Sequence, residues 1–200
     1  MTIFEYGQRE IDHLSGRDRV LGQAIAEIGM IEREIYPDLF TALVRNIVAQ
    51  QIAKKAAATV WGRMCTKVGD ITAAKIAALD TTTIKEFGMS GRKAGYIKSA
   101  AVALLNGDIQ LESFSWMTDE EIIKELTMLP GVGVWTAEML LIFSLARPDV
   151  LSWGDLALKR GLKKLYRLED ISRPEFHRYK KRYTPYSSVA SLYLWELGGK

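Results

Sequence analysis

From Asp38 the segment DLFTALVRNIVAQQIAKKAAATVWGRM sets apolar residues at Phe40, Leu43, Val44, Ile47, Val48, Ile52, Ala56, Val60 and Met64. Steps of three and four put these side chains on one side of a 3.6-residue helix, whereas a half-buried strand would alternate. A chain with this pattern folds by burying a helical face. It predicts a long helix from Asp38, with a break near Gln50. The same spacing predicts short helices over 71–78 and 82–87, then a longer one over 93–105 that stops at Asn106-Gly107, a helix C-terminal signature. Thr118 with Glu121 three residues later forms a capping box and opens a helix over 119–128. Further helices are expected over 134–146, 155–168 and 187–197. No segment shows strand alternation, a hairpin signal or a fixed repeat, so the expected class is all-α with about ten helices.

Composition bounds the function. A hydrophobic fraction of 48% over 200 residues fills a real core. No apolar run approaches the roughly 20 residues of a membrane span, and the first residues are too polar and acidic for a secretory signal. The expected address is cytoplasmic, or nuclear in a eukaryote. The one cysteine, Cys65, excludes an internal disulfide, a cysteine-ligated zinc site and an iron–sulfur cluster. His13 and His177 are far apart, which speaks against a histidine metal site or a standard triad. The net charge is only +3, yet basic residues crowd together from Lys159 through Arg182. That tilt permits an anionic partner and equally suits a solvated helix face.

The stretch LPGVGVWTAEMLL at 129–141 joins two predicted helices through a connection of about five residues. Pro130 blocks continuation of the first helix, and Gly131 and Gly133 permit positive φ and bring no side chain that would hold another backbone away. N–H groups at the start of the next helix, helped by its positive dipole end, suit a phosphate oxygen. Such contacts position nucleic acid without reading its sequence. An ordinary tight turn between helices reads the same way from a bare GxG.

The fuller pattern, LPGVG with Thr136-Ala137 behind it and SWGDLALKRG placing Asp155 beyond Trp153-Gly154, resembles the helix–hairpin–helix DNA glycosylase superfamily. The resemblance covers about 38–197. It implies two helical lobes, one central over 39–150 with the hairpin at 129–133 and one made from 1–38 plus 151–200, with no room for the N-terminal β domain of some members. It also implies that Asp155 is the catalytic carboxylate. Asp155 is a good helix N-cap as well, and the two roles are compatible. Cleaving an N-glycosidic bond develops positive charge on the sugar, which an ionised carboxylate stabilises, and a helix N-terminus favours that form.

Bifunctional members carry a nucleophilic lysine at the second position after the GVG. Trp135 stands there instead, so the resemblance points to a monofunctional enzyme of the 3-methyladenine DNA glycosylase II branch. In that branch VAQQIAKKAA at 48–57 is similar to the segment entering the minor groove, with Gln51 as the wedge and Gln50 beside the base pocket. MSGRKAGYIK at 89–98 is similar to a second DNA-facing helix start, where Ser90, Gly91, Arg92 and Lys93 hold phosphates together with Gly131, Gly133, Val134 and Thr136 of the hairpin. YTPYSSVASLYLWELG is similar to the last helix of the family and makes Trp195 the second aromatic wall of the base pocket beside Trp135. Aromatic walls suit an extrahelical base, and a ring made cationic by alkylation gains a cation–π term of about 0.5–2 kcal/mol. The superfamily also implies a sodium or potassium ion held by the main-chain carbonyls of Thr127, Leu129 and Val132, with no other cofactor. The expected partner is duplex DNA carrying damaged bases, and the expected state is a monomer with no membrane association. Leu156 departs from relatives that have an aromatic after the aspartate, which leaves pocket width open. Two rivals remain: a non-catalytic helix–hairpin–helix DNA-binding module, and a glycosylase for deaminated or oxidised bases.

Overall fold

The computed structural model describes residues 2–199. In chain order the elements are β1 (Thr2–Ile3), α1 (Gln8–Arg17), α2 (Arg19–Ile28), β2 (Glu34–Ile35), α3 (Leu39–Ala49), α4 (Lys54–Val68), α5 (Ala73–Ala78), α6 (Thr81–Glu86), α7 (Gly91–Asn106), α8 (Asp119–Leu126), α9 (Val134–Phe143), α10 (Leu156–Tyr166), α11 (Arg173–Tyr183) and α12 (Ser187–Gly198), with a 3-10 turn at Leu111–Ser115. The all-α reading holds, with twelve α-helices among the described residues in place of about ten. The unforeseen helices are α1, α2 and α11. Apolar periodicity is faint in α1, which buries only Leu14, and in α11, which buries only Phe176 and Tyr183 among charged neighbours, whereas α2 does bury Leu21, Ala24 and Ile25 at helical spacing, a signal that sequence reasoning missed. A second correction is the antiparallel pair β1–β2, in which Thr2 lies opposite Ile35 and Ile3 opposite Glu34. Strands of two residues are too short to show alternation.

The chain divides into two compact units, Tyr36–Leu140 and Met1–Ile35 with Leu141–Lys200. The central lobe was expected over 39–150; the division into compact units falls within α9.

In the unit Tyr36–Leu140, α7 is the central strut, packed against α3, α5 and α6. Ala94, Ile97, Ala100 and Ala101 form its buried face, and the small alanines admit close helix approach. The break near Gln50 is real: α3 ends at Ala49 and α4 starts at Lys54. Side-chain N-caps set most helix starts. Asp38 accepts from Thr41 N–H, Asp80 from Thr83 N–H, and Thr118 and Glu121 complete the expected capping box.

In the other unit α10 packs along α12. The approach is close enough that a Cβ on Gly161 would overlap the Leu194 carbonyl, and one on Gly198 the Ala157 carbonyl. The N-terminal segment is tied in through Asp18, which caps α2 by accepting from Val20 N–H and Leu21 N–H. Asp18 Oδ2 also accepts from Tyr166 Oη and Arg182 Nη1, each at 2.6 Å.

Candidate functional site

The hairpin departs from its expected geometry at one glycine. Gly131 has φ +80°, a left-handed backbone that glycine adopts without strain. Gly133 is absent from the positive-φ residues; a Cβ there would meet nothing within 4 Å. Its carbonyl accepts from Ala137 N–H, so it caps α9. The two glycines therefore serve different ends: one shapes the turn and the other keeps the helix entrance bare. Val134, 54% exposed, follows at the first position of α9, where N–H groups have no carbonyl four residues back within the helix.

Two residues outside the motif hold the turn. The Tyr96 ring occupies the space where a side chain at 131 would be, and Gln50 Nε2 donates to Gly131 O at 2.9 Å. Around this bond lies a cavity of about 420 Å³ lined by Asn46, Ala49, Gln50, Gln51, Gly131, Gly133, Trp135 and Thr136. Trp135 is 40% exposed. Gln50 and Trp135, expected at the base pocket, and Gln51, expected as the wedge, all line this cavity, together with Asn46, which sequence reasoning did not single out, as it did not Tyr96. Thr136 lines the cavity too but is only 3% exposed.

MSGRK divides in the same way. Ser90 Oγ accepts from Lys93 N–H and caps α7, while Gly91 and Arg92 are exposed at the helix entrance. Lys93 does not fit a phosphate ligand. Its ammonium donates to Val48 O at 2.8 Å and Gln50 O at 2.5 Å, at the C-terminal end of α3. Desolvation pushes its pKa down. A lysine reads as surface charge in sequence, and nothing local signals that a helix end 43 residues earlier will claim it.

In the other unit Asp155 is 7% exposed and caps α10, its Oδ1 accepting from Ala157 N–H at 2.8 Å and Leu158 N–H at 2.9 Å. Three buried serines of α12 pin the segment that leads to it. Ser188 Oγ accepts from Val150 N–H and donates to Arg147 O, Ser191 Oγ donates to Val150 O, and Ser187 donates to Asp149 Oδ1. Serines on an apolar helix are buried only when so satisfied. Trp195, one turn beyond Ser191, stacks at a tilt on Phe143 with centroids 5.3 Å apart. Trp153 packs edge-on against Phe176, with Lys159 Nζ 4.5 Å from its ring centre. Leu156 is 66% exposed beside the aspartate. His13 bonds Thr184 O and packs on Tyr186, a structural role.

For a cation at the hairpin, Leu129 O already accepts from Val132 N–H at 3.1 Å, which leaves it one lone pair. Among the described residues no group of three or more His, Cys, Asp or Glu could hold a metal ion, and no helix is long and apolar enough to cross a membrane.

A predominantly helical chain thus presents a glycine-shaped hairpin, a bare helix entrance and, beside it, an exposed indole. The chain belongs to the HhH-GPD superfamily of base excision DNA repair proteins, which matches residues 44–184. It is 33% identical over 196 residues to DNA-3-methyladenine glycosylase 1 of Schizosaccharomyces pombe, covering 92% of this chain and 84% of that one. Among solved structures, Schizosaccharomyces pombe 3-methyladenine DNA glycosylase in complex with abasic DNA superposes with TM-score 0.84 at 30% identity, over 94% of this chain and 96% of that one. A DNA-3-methyladenine glycosidase from Bacillus halodurans does so with TM-score 0.88 at 33% identity, over 100% and 94%.

Proposed function

We propose that the protein is a monofunctional DNA glycosylase that takes an alkylated purine, of the 3-methyladenine kind, out of duplex DNA and hydrolyses its N-glycosidic bond. The carrying observation is that an exposed tryptophan, Trp135, lines the cavity beside the hairpin; by the family resemblance, bifunctional members keep a lysine at this position. Likeness to proteins named 3-methyladenine glycosylases along nearly the whole chain supports the same reading.

The residues have distinct tasks in it. The main chain at Gly131, Gly133 and Val134, with Ser90, Gly91 and Arg92, meets phosphates, and Gln51 fills the gap left by the flipped nucleotide. Trp135 and Trp195 offer the base their π faces. As the C1′–N bond breaks, its electron pair leaves with the purine. Alkylation has already made that purine cationic, so it departs neutral and needs no strong acid. Asp155 stabilises the positive sugar and takes the proton of the water whose oxygen bonds to C1′. An abasic site remains. A sodium or potassium ion on the carbonyls of Thr127, Leu129 and Val132 would bridge hairpin and phosphate, and a monomer suffices for the chemistry.

The test is a panel of duplexes carrying 3-methyladenine, 7-methylguanine, 1-methyladenine, hypoxanthine, uracil or 8-oxoguanine, each incubated with the wild-type protein. Release of methylated purines is expected. Release of hypoxanthine, uracil or 8-oxoguanine alone would move the assignment to deaminated or oxidised bases, and no release from any duplex would favour a binding module.

A further inference from the structure

We propose that Lys93 is a positioning residue for Gln51, holding the turn after α3 so that Gln51 meets DNA in one fixed conformation; the proposal rests on the glycosylase reading above. Gln51 has φ +55°, a left-handed conformation that costs a residue with a β-carbon energy and persists only where the surroundings hold it. The surroundings are on both sides. On one, the Lys93 ammonium bonds Val48 O and Gln50 O, carbonyls at a helix end that has run out of N–H partners and carries negative dipole charge. On the other, Gln50 Nε2 bonds Gly131 O. The strained residue is therefore gripped by its neighbour at both the main chain and the side chain, from α7 and from the hairpin.

The device occurs twice on α7. Lys98 Nζ donates to Ala77 O and Leu79 O at the end of α5. There it closes a helix that ends in ordinary backbone. At Lys93 the gripped turn lines the cavity it shares with Trp135 and carries the strained glutamine. A brace that merely ended α3 would not require Gln51 to be strained.

The experiment compares wild type, Lys93→Met, Gln51→Ala and the double variant on a duplex carrying 7-methylguanine. Three quantities are read: the single-turnover release rate, the fluorescence of 2-aminopurine placed beside the lesion, and the salt dependence of DNA affinity. Lys93→Met is expected to slow release by about tenfold, with the double variant no slower than the slower single, because each loss acts through the same side chain. The slope of log affinity against log salt should stay at the wild-type value. Losses that multiply in the double variant would overturn the proposal, and so would a slope reduced by about 0.9, the mark of one lost phosphate contact. If circular dichroism shows Lys93→Met unfolded, Lys93→Gln, whose neutral, shorter amide keeps two N–H donors but loses the charge, takes its place with the same outcomes. Should wild type release no base from any duplex, the glycosylase reading fails by itself. The 2-aminopurine response on binding abasic DNA, compared across the same four proteins, then decides the brace.

Discussion

The Tyr96 ring lies where a side chain at 131 would be: a Cβ built on Gly131 would overlap its Cγ, Cδ2 and Cε2. The glycine is thus required twice, by the ring and by its φ of +80°. Gly133, two residues on, has open space around it. Gly131→Ala should lower stability by about 2–4 kcal/mol, combining left-handed strain with overpacking. Gly133→Ala should cost about 1 kcal/mol or less as a poorer cap, yet weaken DNA binding because a methyl group would hold off the phosphate. Urea midpoints and affinities for abasic duplex measure both, and equal stability losses would refute the division of labour.

Asp155→Asn preserves shape and can still cap α10, since an amide oxygen can accept from Ala157 N–H and Leu158 N–H as Oδ1 does now. Thermal stability should move by about 1 kcal/mol or less, while base release falls by about 10²-fold or more. Duplex affinity should be largely retained. Undiminished release by this variant would remove Asp155 from the chemistry.

Trp135 at the position of the family's lysine nucleophile leaves no amine there to attack the sugar. Borohydride added during turnover should therefore trap no covalent protein–DNA adduct, as read by gel electrophoresis. Efficient trapping would reveal another lysine acting as nucleophile.

Burial alone would raise the pKa of Asp18, but hydrogen bonds from Tyr166, Arg182 and Leu21 N–H outweigh it and hold the carboxyl below its usual 3.8. With the folded pKa below the unfolded one, the unfolded chain binds the proton first as acid is added. The stabilisation is thus complete above about pH 4 and disappears as pH falls through the folded value. Asp18→Asn should be less stable than wild type at neutral pH, with the gap closing below about pH 4. Urea midpoints across that range are the measurement, and parallel curves would show that the carboxylate contributes nothing.

Much of the architecture was legible because it is local. The helical spacing of Phe40 to Val48 and of Val60 and Met64, the Thr118–Glu121 box and the cap at Asp155 each involve residues within about four positions of one another and appear as expected, whereas Ile52, between α3 and α4, and Ala56 are exposed. Helices with little apolar face, such as α11, were not legible, since their packing is carried by single residues such as Phe176. The site divided along the same line. Gly131, Gln50, Gln51 and Trp135 belong to motifs and gather at one cavity, but Tyr96 and the α12 serines carry no local mark of their partners.

The sequence by itself determined a predominantly helical chain, a glycine hairpin followed by a tryptophan, and an aspartate at a helix start. These follow from backbone sterics and side-chain chemistry that act over one helical turn. Only the tertiary structure decided that Lys93 holds a helix end rather than a phosphate, that one glycine of the hairpin serves a ring and the other open space, and that Arg182 reaches Asp18 across 164 positions. A charged side chain has the same donors in any context, and its partner is chosen by which acceptors the packed helices leave unsatisfied beside it once water has been removed.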